Sequence, residues 1–88
     1  MYEIILTDEY KKREKRFFKK HPDLKDRYKK VLKILRVNPN YPSLRLHKLQ
    51  GIELYSIPLN MQYRIILDFI IDGEKIILIN IGSHDEVY

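Results

Sequence analysis

The stretch QYRIILDFIIDGEKIILINI, residues 62 to 81, decides the fold class. It holds two runs rich in isoleucine and leucine, each of strand length and far shorter than a bilayer span needs. Asp72 and Gly73 divide them. An Asp-Gly pair tolerates the positive φ angles of a tight hairpin turn, so residues 62–71 and 75–81 are expected to be antiparallel neighbours.

Working towards the N-terminus, residues 54–59 read as a further strand. Before it lies LRLHKLQG, residues 44 to 51, where Gly51 supplies a turn. His47 is expected in a loop that lies along the sheet. NPNYPS, residues 38 to 43, carries two prolines and two asparagines and stops the helix that precedes it. That helix is marked by an apolar stripe of Leu24, Tyr28, Val31, Leu32 and Leu35. His21-Pro22-Asp23 separates it from a first helix over Asp8–Lys20, since proline is tolerated in a first turn but not in mid-helix. Thr7 offers a capping hydroxyl there, Asp8 and Glu9 face the positive end of the dipole, and Tyr10, Phe17 and Phe18 share one side. YEIIL, residues 2 to 6, is the first strand. The expected architecture is α+β in the order β-α-α-β-β-β: two N-terminal helices packed on a curved, mainly antiparallel sheet, in a single domain over 1–88.

The 88 residues include no cysteine, which removes disulfides, thiolate metal sites and a cysteine nucleophile. A stability based on packing is the consequence. The N-terminus lacks the basic start and long apolar core of a signal peptide, so a cytoplasmic location is expected and no membrane association. The formal charge is +5, and the excess is concentrated: between Lys11 and Lys30 eleven basic residues stand against three acidic ones. Such a field suits a phosphate backbone or an acidic protein partner; a solvated helix surface is the plainer explanation.

Three histidines are available. His21, beside Pro22, reads as a capping or surface residue. His47 and His84 are too isolated for a metal site, and neither Ser43 nor Ser83 sits in a nucleophile elbow. No metal or other cofactor is expected. Cleavage of RNA through its own 2′-hydroxyl fits better, because it needs a base, an acid and cations around the phosphate. Imidazoles suit the first two tasks. Arg64, in a strand otherwise dominated by apolar residues, is the cation; an outward-facing position on an alternating strand explains it equally well. Arg45 and Lys48 add charge beside His47. Tyr55, Tyr63 and Tyr88 are available to stack on bases, although Tyr55 and Tyr63 have a packing role open to them.

The element order, the LHKLQG segment, the YSIPLNMQYRIIL strand pair and the closing GSHDEVY together resemble the RelE/ParE toxin superfamily, most nearly its RelE branch of YafQ- and HigB-type mRNA interferases. Only residues 44–88 carry specific motifs. The resemblance implies a type II toxin-antitoxin toxin, an endoribonuclease that cuts messenger RNA in the ribosomal A site, with a cognate antitoxin, the ribosome and mRNA as partners. By position, His47 matches the loop histidine of the YafQ-like branch, His84 matches the C-terminal histidine proposed there as an acid or base, and Arg64 matches the superfamily's strand arginine, a candidate for phosphate contact. Lys11, Lys12, Lys15 and Lys19 would hold ribosomal RNA, with Arg45, Lys48 and Tyr88 nearer the substrate. The turn reading PLNMQ, residues 58 to 62, departs from the branch by lacking a carboxylate and an imidazole. A ParE-like inhibitor of DNA gyrase and a non-catalytic basic binding module remain the alternatives.

Overall fold

A computed structural model describes residues 1–70 and 74–87 of the chain. Strand β1 (Glu3–Leu6) leads into helix α1 (Asp8–Lys20), where the Thr7 hydroxyl accepts the Tyr10 N–H at 3.1 Å. A 3-10 turn over Pro22–Leu24 delays the second helix, so α2 spans Lys25–Val37. Proline at the first turn explains the delay: its ring fixes φ and supplies no N–H. A second 3-10 turn, Pro42–Leu44, precedes β2 (His47–Lys48), β3 (Tyr55–Pro58), β4 (Tyr63–Ile70), β5 (Lys75–Ser83) and a short helix α3 (His84–Val87).

The five strands form one sheet in the order β1-β5-β4-β3-β2. Among the described residues only β1 pairs in parallel, with β5. The pairing of β4 with β5 is antiparallel, as the Asp-Gly signal requires; Ile71, Asp72, Gly73 and Tyr88 lie outside the described residues. Two expectations are corrected. His47 belongs to a two-residue edge strand rather than a loop, and the last strand runs on to Ser83; residues 84–87, which the sequence reading assigns to no element, form a helix.

The core lies between the two long helices and one sheet face, where Tyr10, Phe17, Phe18, Tyr28 and Leu35 meet Ile57, Ile65, Leu67, Ile76, Leu78 and Ile81. Side chains alternate along a strand, so Leu78 and Ile81, three apart, would fall on opposite faces of a regular β5. The register prevents this: Ile66 opposes Asn80 and Leu67 opposes Leu78, which skips Ile79 and turns Ile81 to the core beside Ile65. At the helix interface the Tyr28 hydroxyl donates to the Glu14 carboxylate and is bonded to the Tyr10 hydroxyl at 2.8 Å. Burial raises the pKa of both tyrosines above the ordinary phenol value.

Candidate functional site

Sheet register places His47 and Arg64 on a common face. His47 opposes Ser56, Ser56 opposes Ile66, and Arg64, two residues before Ile66, opposes Pro58 and Gly82. Positions two apart on a strand share a face, so the two side chains flank one surface across three strands. That face is turned away from the helices, because Ile57, Ile65 and Leu67 alternate with these positions into the core, and the concavity of about 650 Å³ that His47 and Arg64 line is also bordered by α2 from the core side of the sheet. Arg45 completes the sheet side, while α2 contributes Arg27 and Lys30 above the apolar Val31 and Ile34.

The charge of this concavity is one-sided. Four guanidinium or ammonium groups line it (Arg27, Lys30, Arg45, Arg64), and no carboxylate does among the described residues. None of the four has a carboxylate within ion-pair distance among those residues. Arg27 donates instead to the Leu59 carbonyl at 3.4 Å. Cations gathered without acids form an anion site, because their mutual repulsion is relieved when a phosphate enters.

Arg45 ends the Pro42–Leu44 turn in the left-handed region, φ 52°. That conformation is costly for a residue with a Cβ. It leaves the Arg45 carbonyl 3.3 Å from Nδ1 of His47. A carbonyl only accepts, so Nδ1 carries the proton in this contact and the lone pair of a neutral ring lies on Nε2. The His47 residue is exposed, and this contact leaves Nε2 turned away from the Arg45 carbonyl.

The other expected residues are distributed elsewhere. Lys48, the second residue of β2, pairs with Glu53 at 3.1 Å. Lys11, Lys12, Lys15 and Lys19 are exposed on α1 and line no part of the concavity. Tyr63 packs between Phe17 and His21, with ring centroids 5.1 and 4.5 Å away, and Tyr55 packs on Phe69 at 5.0 Å, so both serve the fold. His21 is a capping residue, as expected, at the C-terminus of α1, and its half-buried ring also packs against Phe17 and Tyr63.

His84 occupies the first position of α3, two residues beyond Gly82, the cross-strand partner of Arg64, and is not among the residues lining the concavity. It is placed by its neighbours. The Ser83 N–H donates to the Glu86 carboxylate at 2.9 Å and the Glu86 N–H donates to the Ser83 hydroxyl at 3.4 Å, a reciprocal capping box. These bonds hold the Glu86 carboxyl below its usual pKa. The acid in GSHDEVY thus starts a helix that packs against the ends of β5 and β4.

In the sequence, two of the cavity's cations, Arg27 and Lys30, stand out only as part of the basic run between Lys11 and Lys30. Their spacing with Val31 and Ile34 on one side of α2 was the available signal. Among the described residues no group of three or more histidines, aspartates or glutamates is arranged to hold a metal ion, and no helix is long and apolar enough to cross a membrane.

No family model matches the chain, and no curated protein sequence matches it. Solved structures do. The metal-bound toxin from Helicobacter pylori is similar over the whole of both chains, with a TM-score of 0.84 at 24% identity. YafQ from Escherichia coli strain BL21(DE3) gives 0.81 at 16% identity, covering 100% of this chain and 99% of its own. The Escherichia coli DinJ-YafQ toxin-antitoxin complex gives 0.78 at 20% identity, covering 99% and 97%. The chain has the RelE-like toxin fold.

Proposed function

We propose that the protein is the toxin of a type II toxin-antitoxin pair, a cytoplasmic endoribonuclease that cuts messenger RNA in the ribosomal A site. The observation that carries this reading is the cationic concavity, lined by no acid among the described residues, with His47 bonded to the Arg45 carbonyl at its edge. The RelE-like fold supports it, as does the toxin-antitoxin complex formed by a protein of that fold.

In this mechanism Nε2 of His47 takes the proton of a ribose 2′-hydroxyl. The 2′-oxygen attacks the adjacent phosphorus, the bond to the 5′-oxygen breaks, and a 2′,3′-cyclic phosphate is left on the upstream fragment. His84 gives a proton to the departing 5′-oxygen. Arg64, Arg45, Arg27 and Lys30 hold the phosphate and the charge that grows on it. The basic surface of α1 contacts ribosomal RNA, and the cognate antitoxin blocks the toxin.

The test is a translating extract given one defined message, with and without ribosomes, and the parent, His47→Ala, His84→Ala and Arg64→Ala proteins. Ribosome-dependent cleavage by the parent, lost in the variants, is expected. Undiminished cleavage by all three variants would refute the mechanism, and intact message alongside DNA-damage signalling in cells would point to a gyrase inhibitor.

A further inference from the structure

The turn between β3 and β4, residues 59–62, carries a polar side chain that the mechanism above does not use. Asn60 lines the cationic concavity together with His47 and Arg64. Its Oδ1 accepts two backbone N–H groups, from Gln62 and from Tyr63, each at 2.8 Å. An amide nitrogen has no lone pair to accept them, so the side chain has one orientation only. The oxygen faces the turn, and Nδ2 lies on the other branch of the amide plane.

The turn is itself held from several sides. Leu59 is 2% exposed, its N–H donates to the Tyr63 carbonyl at 2.8 Å, and its own carbonyl accepts from Arg27 of α2 at 3.4 Å. A donor fixed before its ligand arrives loses little further freedom on binding. Asn60 is half-buried, and among the described residues Nδ2 has no partner. No polar side-chain atom there is buried unpaired, so the two Nδ2–H groups are open to solvent.

We infer that Asn60 is a phosphate-contacting residue, whose Nδ2 donates to a non-bridging oxygen of the RNA phosphate held by Arg64 and Arg45. The inference rests on the ribonuclease reading for the nature of the ligand and adds to it a neutral donor. An asparagine that reads adenine uses both ends of its amide, accepting from the base amino group and donating to the ring nitrogen. Oδ1 of Asn60 is already engaged by the turn. Donors alone remain, and a phosphate oxygen only accepts. A neutral donor also directs the phosphate without adding to the repulsion among the four cations around it.

The probe is a short, fluorescently labelled single-stranded RNA with 2′-O-methyl riboses, which cannot be cut through the 2′-oxygen. Binding is followed by anisotropy at several salt concentrations and by the side-chain amide resonances of the protein. The Asn60 Nδ2 protons are expected to shift when RNA is added. Asn60→Ser keeps a neutral oxygen for the turn and lacks the amide donors. It is expected to weaken binding about tenfold at every salt concentration. The slope against the logarithm of salt should stay unchanged, because a neutral donor releases no counterion. Arg64→Ala, by contrast, should flatten that slope by about one unit. Asn60→Asp retains an oxygen for both turn N–H groups, so its denaturant midpoint should match the parent's. Its binding should fall further than that of Met61→Asp, which adds the same charge at the adjacent residue, itself 98% exposed. Unshifted Asn60 protons, parental binding by Asn60→Ser, or equal losses in the two aspartate variants would overturn the inference and leave Asn60 a turn residue. Binding that meets these expectations while the parent cuts no message in the translating extract would refute the ribonuclease and support the phosphate contact.

Discussion

The Arg45 carbonyl accepts the Nδ1–H of His47 at 3.3 Å while Arg45 itself is held at φ 52°. A left-handed conformation costs a residue with a Cβ about 1–2 kcal/mol, and glycine is largely spared this. Arg45→Gly is therefore expected to unfold in denaturant within about 1 kcal/mol of the parent, or above it. RNA affinity should fall, and its dependence on the logarithm of salt concentration should flatten by about one unit, because one phosphate contact is gone. A large loss of stability would show that the arginine side chain packs rather than binds.

Arg64 and His47 should fail in different ways. Arg64→Ala is expected to lower both RNA binding and cleavage, the latter by about 10²–10³, with partial recovery in Arg64→Lys because lysine replaces the forked guanidinium by a point charge. His47→Ala should lower single-turnover cleavage by about 10²–10⁴ and leave binding nearly intact. Equal loss of binding in both variants would argue that His47 holds RNA and moves no proton.

The buried hydroxyls of Tyr10 and Tyr28 make an ordered prediction. Tyr28→Phe strands the Tyr10 hydroxyl, whose residue is 0% exposed, and is expected to cost about 1–3 kcal/mol in denaturant unfolding. Tyr10→Phe leaves Tyr28 bonded to Glu14 and should cost about 1 kcal/mol. The pH dependence follows from the raised pKa values. The unfolded chain loses these phenolic protons first, near 10.0, so stability is full below that pH and declines as the pH rises above it. Thermal unfolding across the alkaline range measures the decline, and the double Phe variant should show less of it.

Helix α3 is expected to loosen without loss of the core. A Cβ added at Gly82 would meet Glu86 Cβ at 3.2 Å and Val87 Cγ1 at 3.3 Å, so Gly82→Val should displace the helix from the sheet. Ser83→Ala removes the cap, a change worth about 1 kcal/mol at a helix start. For Glu86 the lowered carboxyl pKa sets the sign: its contribution is present above about 4.5, where the unfolded carboxylate is charged, and is lost as the pH falls through the lower folded value. Amide exchange at residues 84–87 should quicken in each variant and at low pH, while the protection of β4 and β5 persists.

Local chemistry made much of this fold readable. Thr7, the apolar spacing of α1 and α2, and the alternation of β4 act within a few residues, and these elements form close to where they indicate, with α2 starting after the Pro22–Leu24 turn. The errors sit where non-local packing decides. His47 and Lys48 become a strand only because β3 offers an edge, and β5 continues to Ser83 because β4 reaches Tyr63 beside it. The Ser-x-x-Glu spacing of Ser83 and Glu86 is a legible capping signal, but a helix of one turn forms there only because β4 and β5 give it a surface to pack on.

The sequence by itself determined the element order, the single core and the excess of positive charge, since hydrophobic period, turn residues and composition are properties of the chain. Only the tertiary structure decided how that charge is used. Arg27 and Lys30 meet Arg45, His47 and Arg64 across as many as 37 residues of chain, and Lys29, Lys33 and Arg36 turn to a different surface. Which cations share a cavity depends on where α2 lies over the sheet, and packing sets that.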